Sequence, residues 1–303
     1  MDLKNLSQPF SNEQKINSFL YLQKYILQQF ELNEPFFIGR LSGNETNLSG
    51  KAFLKQPIDK IEIYEMLTGA GIQFSDQNDI KQFVQQYTNA CLNCSIMAIW
   101  SDSMYLQGKN FYDFLLKILP NQKQICAQAL EPYYFMDHPE YNFNTIFKNK
   151  KILIITSHKE SICQQLKKNI FNKSIFDNSS NFYIYKAPQQ NAGNHDSNNW
   201  IFHYEKMCND LNAINKEFNF DIALVSCGGF GMIISNHIFN EFKKSTIYVG
   251  GALQLYFGIK GNRWNSHPII SKMINDKWIN VVDEDKPKTL TNNPNICENN
   301  CYW

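Results

Sequence analysis

Residues 221–231 read DIALVSCGGFG and run on into MIISNHIFNEF: an apolar stretch of strand length ends in a glycine-dense turn and restarts at helical spacing. Such a strand-turn-helix brings a ligand to a helix N-terminus, where backbone N–H groups lack intrahelical partners and carry partial positive charge that suits phosphate. Gly228, Gly229 and Gly231 are therefore candidate anion-binding positions. The third glycine of the dinucleotide fingerprint is missing, the turn comes late in the chain, and there is no Walker sequence, so a standard NAD or P-loop fold is disfavoured. Cys227 in the same turn offers a second chemistry, a thiol nucleophile activated by His158, His195 or His237. The ordinary fate of a cysteine at the end of a buried strand is packing.

Other candidates also fall at the ends of apolar runs. Arg40-Leu-Ser-Gly-Asn-Glu45 carries a lone carboxylate among small polar residues. Glu45 there suits a divalent metal or a hydroxyl near phosphates, although from these residues alone a solvated ion pair is the favoured reading. Thr156-Ser-His-Lys-Glu-Ser161 places hydroxyls, His158 and Lys159 at the mouth of a helix, a setting for a diphosphate or simply for capping by Thr156 or Ser157. His195 and Asp196 lie in a polar loop, 191–199, that could cover a substrate or supply a base and its orienter. The pairs Cys91/Cys94 and Cys297/Cys301 have zinc-like spacing but lie far apart in the chain, and buried free thiols are the expected outcome.

Period places these residues on elements. Strand-like runs fall at 36–39, 95–100, 125–130, 151–156, 182–185, 222–226 and 246–249. Helical spacing covers 16–30, 59–68, 76–91, 111–119, 160–171, 200–218, 232–242 and 267–275. The alternation predicts an α/β fold, a Rossmann-like, doubly wound, mainly parallel sheet with helices on both faces. The runs at 152–155 and 222–225 are apolar on both faces and should be central strands. The expected organisation is an N-terminal helical segment over 1–34, the Rossmann-like domain over 35–282, and a polar tail over 283–303 whose final Tyr302 and Trp303 pack back onto the domain.

With 303 residues, 43% of them hydrophobic and 14% aromatic, the chain can bury a large core. Lys and Arg total 29 against 28 Asp and Glu, a net charge of +1 that offers no surface for nucleic acid. The polar, amphipathic start does not read as a signal peptide, and nothing approaches the roughly 18 apolar residues of a membrane helix. A soluble, cytoplasmic protein with reduced cysteines is expected.

In this order and spacing the pieces resemble the bacterial GT-D-type glycosyltransferases, formerly a domain of unknown function, with relatives in large DNA viruses and phages. The resemblance covers most of the chain: the opening turn Arg40-Leu-Ser-Gly-Asn-Glu45, the strand Lys150-Lys-Ile-Leu-Ile-Ile-Thr-Ser-His158, the segment ending Tyr185-Lys-Ala-Pro188, and residues 221–231 leading to Ile247-Tyr-Val-Gly-Gly251. The closing Gly258-Ile-Lys-Gly-Asn-Arg-Trp264 and Cys301-Tyr-Trp303 look like the viral branch. The resemblance implies transfer of a sugar from a nucleotide-diphosphate donor to a glycan or glycoconjugate acceptor. It also implies an Asp-x-Glu pair in the opening turn that engages metal and diphosphate. Here the Glu is Glu45 and the Asp position is Gly43, so Ser42 or Asn44 must substitute and the need for Mn²⁺ or Mg²⁺ is in question.

The implied donor site comprises Arg40, Ser42, Asn44, Ser157, His158, Gly228, Gly229 and Gly231, with Glu45 as catalytic residue and metal ligand. An inverting reaction needs a base for the acceptor hydroxyl; Asp102, just past strand 95–100, is the candidate, ahead of Asp196. Two other classes stay open, a Cys227-dependent acyl-transfer or amidase enzyme and a non-catalytic nucleotide-sugar-binding protein that would explain the missing Asp.

Overall fold

The computed structural model describes residues 9–101, 122–291 and 302–303. Seven strands form one all-parallel sheet: β1 (Phe37–Arg40), β2 (Ile96–Ile99), β3 (Lys123–Cys126), β4 (Lys151–Thr156), β5 (Asn181–Lys186), β6 (Ile222–Ser226) and β7 (Ser245–Tyr248). Their order across the sheet is β3-β2-β1-β7-β6-β4-β5. The strands expected at 151–156 and 222–226 are found with those bounds and lie inside the sheet.

Alternation along each strand divides the core. Ile152, Ile154, Ile222 and Leu224 pack on one face with helix α1 (Asn12–Leu32), while Leu153, Ile155, Ala223 and Val225 pack on the other. The second face is covered by α2 (Gly43–Phe53), α4 (Gln77–Asn93), α6 (Trp200–Phe218) and α7 (Phe230–His237); α3 (Lys60–Glu65) precedes α4, and α5 (Lys159–Lys167) lies on the first face. Ser11 and Gln14 close a capping box at the start of α1, and Ser18 Oγ accepts the Cys126 N–H at 3.0 Å, tying that helix to β3.

The winding places a crevice. The chain leaves the centre through β2 and β3, crosses to β4 and β5, and returns through β6 to β7 beside β1. After β1 it enters α2 on one face; after β7 it enters the 3-10 stretch Gly250–Phe257, which packs on the other. Adjacent strands whose connections part to opposite faces leave an opening at their C-terminal ends, which is where open α/β sheets bind ligands.

Three local departures from the expected elements bear on the site. Residues 40–45, expected as a turn, enter α2 at Gly43, with Ser42 at the N-cap and Glu45 in the first turn. The run at 125–130 stops as a strand at Cys126 and continues as a 3-10 turn, Ala127–Leu130, that carries Glu131 over the strand ends. The helix expected at 267–275 is reduced to Ile270–Lys272, because Pro268 disfavours helical backbone at His267. The helix expected at 111–119 lies outside the described residues. No helix among the described residues is long and apolar enough to cross a membrane.

Candidate functional site

A cavity of about 350 Å³ opens at the C-terminal edge of the sheet. Residues at or beyond the C-terminal ends of all seven strands reach it: Arg40 and Ser42 to Glu45 from β1, Trp100 from β2, Glu131 from β3, Ser157 and His158 from β4, Asn191 from β5, Ser226 and Gly228 from β6, and Tyr248 with Gly250 to Ala252 from β7. Arg263, Trp264, Tyr302 and Trp303 close the remaining side. Tyr302 and Trp303 are held there by the Asn262 N–H, which donates to the Trp303 carbonyl at 3.3 Å.

Two guanidinium groups face this space, each beside two aromatic rings. Arg40 lies 5.5 Å from the ring centres of both Trp100 and Tyr248. Arg263 lies 5.7 Å from the Trp264 ring and 4.9 Å from Tyr302. Aromatic faces hold a cation while leaving its N–H groups for a ligand. Glycine at position 250 makes the first arrangement possible: its φ is +72° and the Arg40 guanidinium occupies the space a Cβ would take.

Glu131 is 6% exposed and lines the same cavity. Burial pushes its carboxyl up to about 7, against the opposing pull of Arg40, a hydrogen bond from Tyr134, and Arg263. His158 is also buried, and burial drives its imidazole down to about 4, so the ring is neutral at pH 7.

The cavity wall is rich in polar atoms without partners among the described residues. Arg40 Nε, Ser42 Oγ, His158 Nε2, Trp264 Nε1 and Trp303 Nε1 are buried and make no hydrogen bond there. Buried polar groups are nearly always paired, and five of the sixteen unpaired side-chain atoms among the described residues belong to residues that line this cavity.

The GT-D fold-like domain family matches residues 56–256, two thirds of the chain and the stretch from α3 through β7 into the cavity wall. The chain belongs to the GT-D-like family. No curated protein and no solved structure matches it. The family match takes in Trp100, Glu131, Ser157, His158, Gly228 and Tyr248, while Arg40, Ser42 and Glu45 precede it and Arg263 follows it.

The sequence-expected residues divide. Arg40, Ser42, Asn44, Glu45, Ser157, His158 and Gly228 all line the cavity. Glu45 is 4% exposed in the first turn of α2, where the helix N-terminus favours a carboxylate. Asn44 Nδ2 donates to the Glu65 carbonyl at 3.1 Å, holding α2 against α3. Asp102 lies outside the described residues. Asp196 is drawn away, accepting from His203 Nε2 at 3.1 Å and from the Asn198 N–H at 2.9 Å.

Gly229 and Gly231 serve packing. The Gly229 N–H donates to Ala70 O at 2.8 Å and the Gly231 N–H to Gly228 O at 2.9 Å. A Cβ at Gly229 would run into Ile72, and one at Gly231 into the Tyr248 ring. Gly228 has φ +56° and its carbonyl accepts from Tyr248 Oη at 2.9 Å, so the turn fixes the ring that flanks Arg40.

The mouth of α5 is likewise engaged. Asp285, fully buried, accepts the Ser161 N–H at 2.7 Å, the Glu160 N–H at 3.3 Å and Lys186 Nζ at 3.0 Å. The N-terminal charge of α5 that the sequence offered to a diphosphate is thus met from within the protein, by a residue of the expected tail.

Cys227 is 7% exposed, does not line the cavity, and burial raises its thiol far above the ordinary cysteine range. A thiolate nucleophile needs the opposite, a lowered value and access. Cys227→Ala is expected to keep ligand binding within about twofold of wild type, read by calorimetry. Loss of binding in the folded variant would restore a role for the thiol. Among the described residues no group of three His, Cys, Asp or Glu side chains is placed to hold a metal.

The sequence reading passed over Glu131, Arg263, Tyr248 and Trp100. The signal available for Glu131 was its place, one residue past the expected strand end at 130.

Proposed function

We propose that the cavity binds a nucleotide-diphosphate sugar and that the protein transfers the sugar to a glycan or glycoconjugate acceptor. What supports this reading is a cavity at the β1/β7 crevice that carries Arg40 and Arg263, each beside aromatic rings, in a chain of the GT-D-like family. Breaking the sugar–diphosphate bond leaves the electron pair and negative charge on the diphosphate. Arg40 and Arg263 are the cations of the cavity wall that meet this charge, in a site where aromatic walls restrict water and strengthen the interaction. Reading Gly258–Trp264 and the last three residues as the branch of large DNA viruses and phages belongs to the same proposal.

A divalent cation fits in a limited way. Mg²⁺ at phosphate sites needs one or two protein carboxylates, the phosphates and water completing its shell. Glu45, with Ser42 Oγ, is what this chain offers in place of the Asp-x-Glu pair, and such an ion would add charge stabilisation to the leaving diphosphate.

Glu45→Gln tests the catalytic part. Turnover in a donor-hydrolysis assay is expected to fall at least 100-fold in a variant that melts within a few degrees of wild type, because the amide keeps the shape and loses the charge. Wild-type turnover would remove Glu45 from the chemistry. The substitution at Gly43 gives weight to a second reading, a protein that binds the donor without transferring its sugar. Donor binding with no turnover in the wild-type protein would select that reading.

A further inference from the structure

The tyrosine between Glu131 and the surface belongs to a directed chain of hydrogen bonds. His267 Nδ1 lies 3.3 Å from the backbone nitrogens of both Ile269 and Ile270 and accepts from them, so the ring proton sits on Nε2. That nitrogen is 3.0 Å from Tyr134 Oη and donates to it. The Tyr134 hydroxyl is left to donate to the Glu131 carboxylate, the direction in which the pair acts on Glu131. The charged and titratable groups facing Glu131 are Arg40 from β1, Arg263 from the Asn262–Asn265 turn, Tyr133 and Tyr134 beside it, and Tyr256. In the free cavity two arginines and one tyrosine favour the carboxylate, and burial opposes it.

A diphosphate entering this space takes the two arginines as its own partners and adds negative charge. Both changes turn against an ionised carboxylate at Glu131. We propose that Glu131 takes up one proton from solvent when a diphosphate binds, and then holds a phosphate oxygen as a hydrogen-bond donor. Glu131 is thus a ligand-binding residue that works as a neutral acid, with Tyr134 and His267 positioning it. The proposal rests on the donor reading of the cavity given above.

The linkage has a definite sign. A complex that binds more protons than its free components loses affinity as pH rises. The diphosphate of a nucleotide sugar is a diester and keeps its charge across neutrality, so the ligand does not supply the effect. With the free carboxyl near 7, donor affinity should be flat below about pH 6 and fall toward tenfold per pH unit above about pH 7.5. Glu131→Gln keeps a donor permanently, so its affinity should be independent of pH and, at pH 8, at least equal to wild type.

The experiment is calorimetry at pH 8 with UDP-glucose, GDP-mannose, ADP-glucose and dTDP-glucose, in buffers of low and high ionisation enthalpy. Expected is uptake approaching one proton by wild type, none by Glu131→Gln, and persisting uptake by His158→Gln and by Glu45→Gln, the other residues of the cavity wall able to gain a proton. Difference infrared spectra of wild type give a reading that does not depend on the variants folding: a protonated carboxyl band should appear on ligand addition. Binding with buffer-independent enthalpy and no such band, or uptake that persists in Glu131→Gln or disappears in His158→Gln or Glu45→Gln, overturns the role of Glu131 and leaves the donor site standing. Binding of none of the four overturns both.

Discussion

Arg40→Met should leave a folded protein that has lost its donor affinity by at least 100-fold. Methionine is unbranched like the arginine stem and can keep the packing between Trp100 and Tyr248 above Gly250. What goes is the guanidinium, whose Nε is buried without a partner among the described residues and whose charge faces the cavity. Charge-assisted hydrogen bonds contribute about 1.5–3 kcal/mol each, and a bidentate contact to phosphate supplies two, so 100-fold, about 2.7 kcal/mol, is the lower end of the expectation. Titration of the variant with nucleotide sugars, beside a denaturant melt, separates affinity from stability. Equal affinity in a folded variant would place the phosphates elsewhere.

Asp285→Ala should have the largest effect on stability. Its carboxylate is fully buried and serves three donors: two N–H groups at the start of α5 and the Lys186 ammonium. Removing one partner of a buried ion pair typically costs 3–5 kcal/mol, and here the Lys186 side chain is 39% exposed and regains water, which places the loss near the bottom of that range. Lost helix capping acts in the same direction. At about 2–4 °C per kcal/mol for a domain of this size, the melting temperature should fall by roughly 6–12 °C. Nucleotide-sugar affinity at a temperature where the variant is folded should stay within about threefold of wild type, because the mouth of α5 is not where the phosphates are placed. An unchanged melting temperature would show that Asp285 is not the anchor of residues 283–285.

How much of this was legible in the sequence depends on how local each signal is. Strands β4 and β6 were readable because a strand covered on both faces shows itself as an unbroken apolar run. The parallel fold followed from the alternation of elements, and the cavity's general position from the rule that such sheets bind ligands at their C-terminal edge. The start of α2 was misread although Ser42-Gly-Asn-Glu45 has the spacing of a capping box. In the structure Ser42 makes no side-chain cap, and its hydroxyl remains unpartnered at the cavity wall. Of the glycine turn, Gly228 lines the cavity, whereas Gly229 and Gly231 admit Ile72 and Tyr248 and do not offer N–H groups. Asp285 looked like part of a polar tail because its partners are 99 to 125 residues away in the chain. Glu131 and Arg263 are single charges in aromatic surroundings, and only the tertiary fold brings them to one space.

The donor site is the claim on which the rest depends, and a thermal-shift panel tests it most directly. Wild type and Arg40→Met are heated with UDP-, GDP-, ADP- and dTDP-sugars at 100 times a trial dissociation constant, with and without Mn²⁺. A ligand bound only by the folded state adds about 2.7 kcal/mol at that excess. For a domain of this size this is a rise of roughly 5–10 °C. Such a rise is expected for at least one nucleotide sugar with wild type and is expected to be absent with Arg40→Met. No rise with any of them, with or without Mn²⁺, would contradict the account.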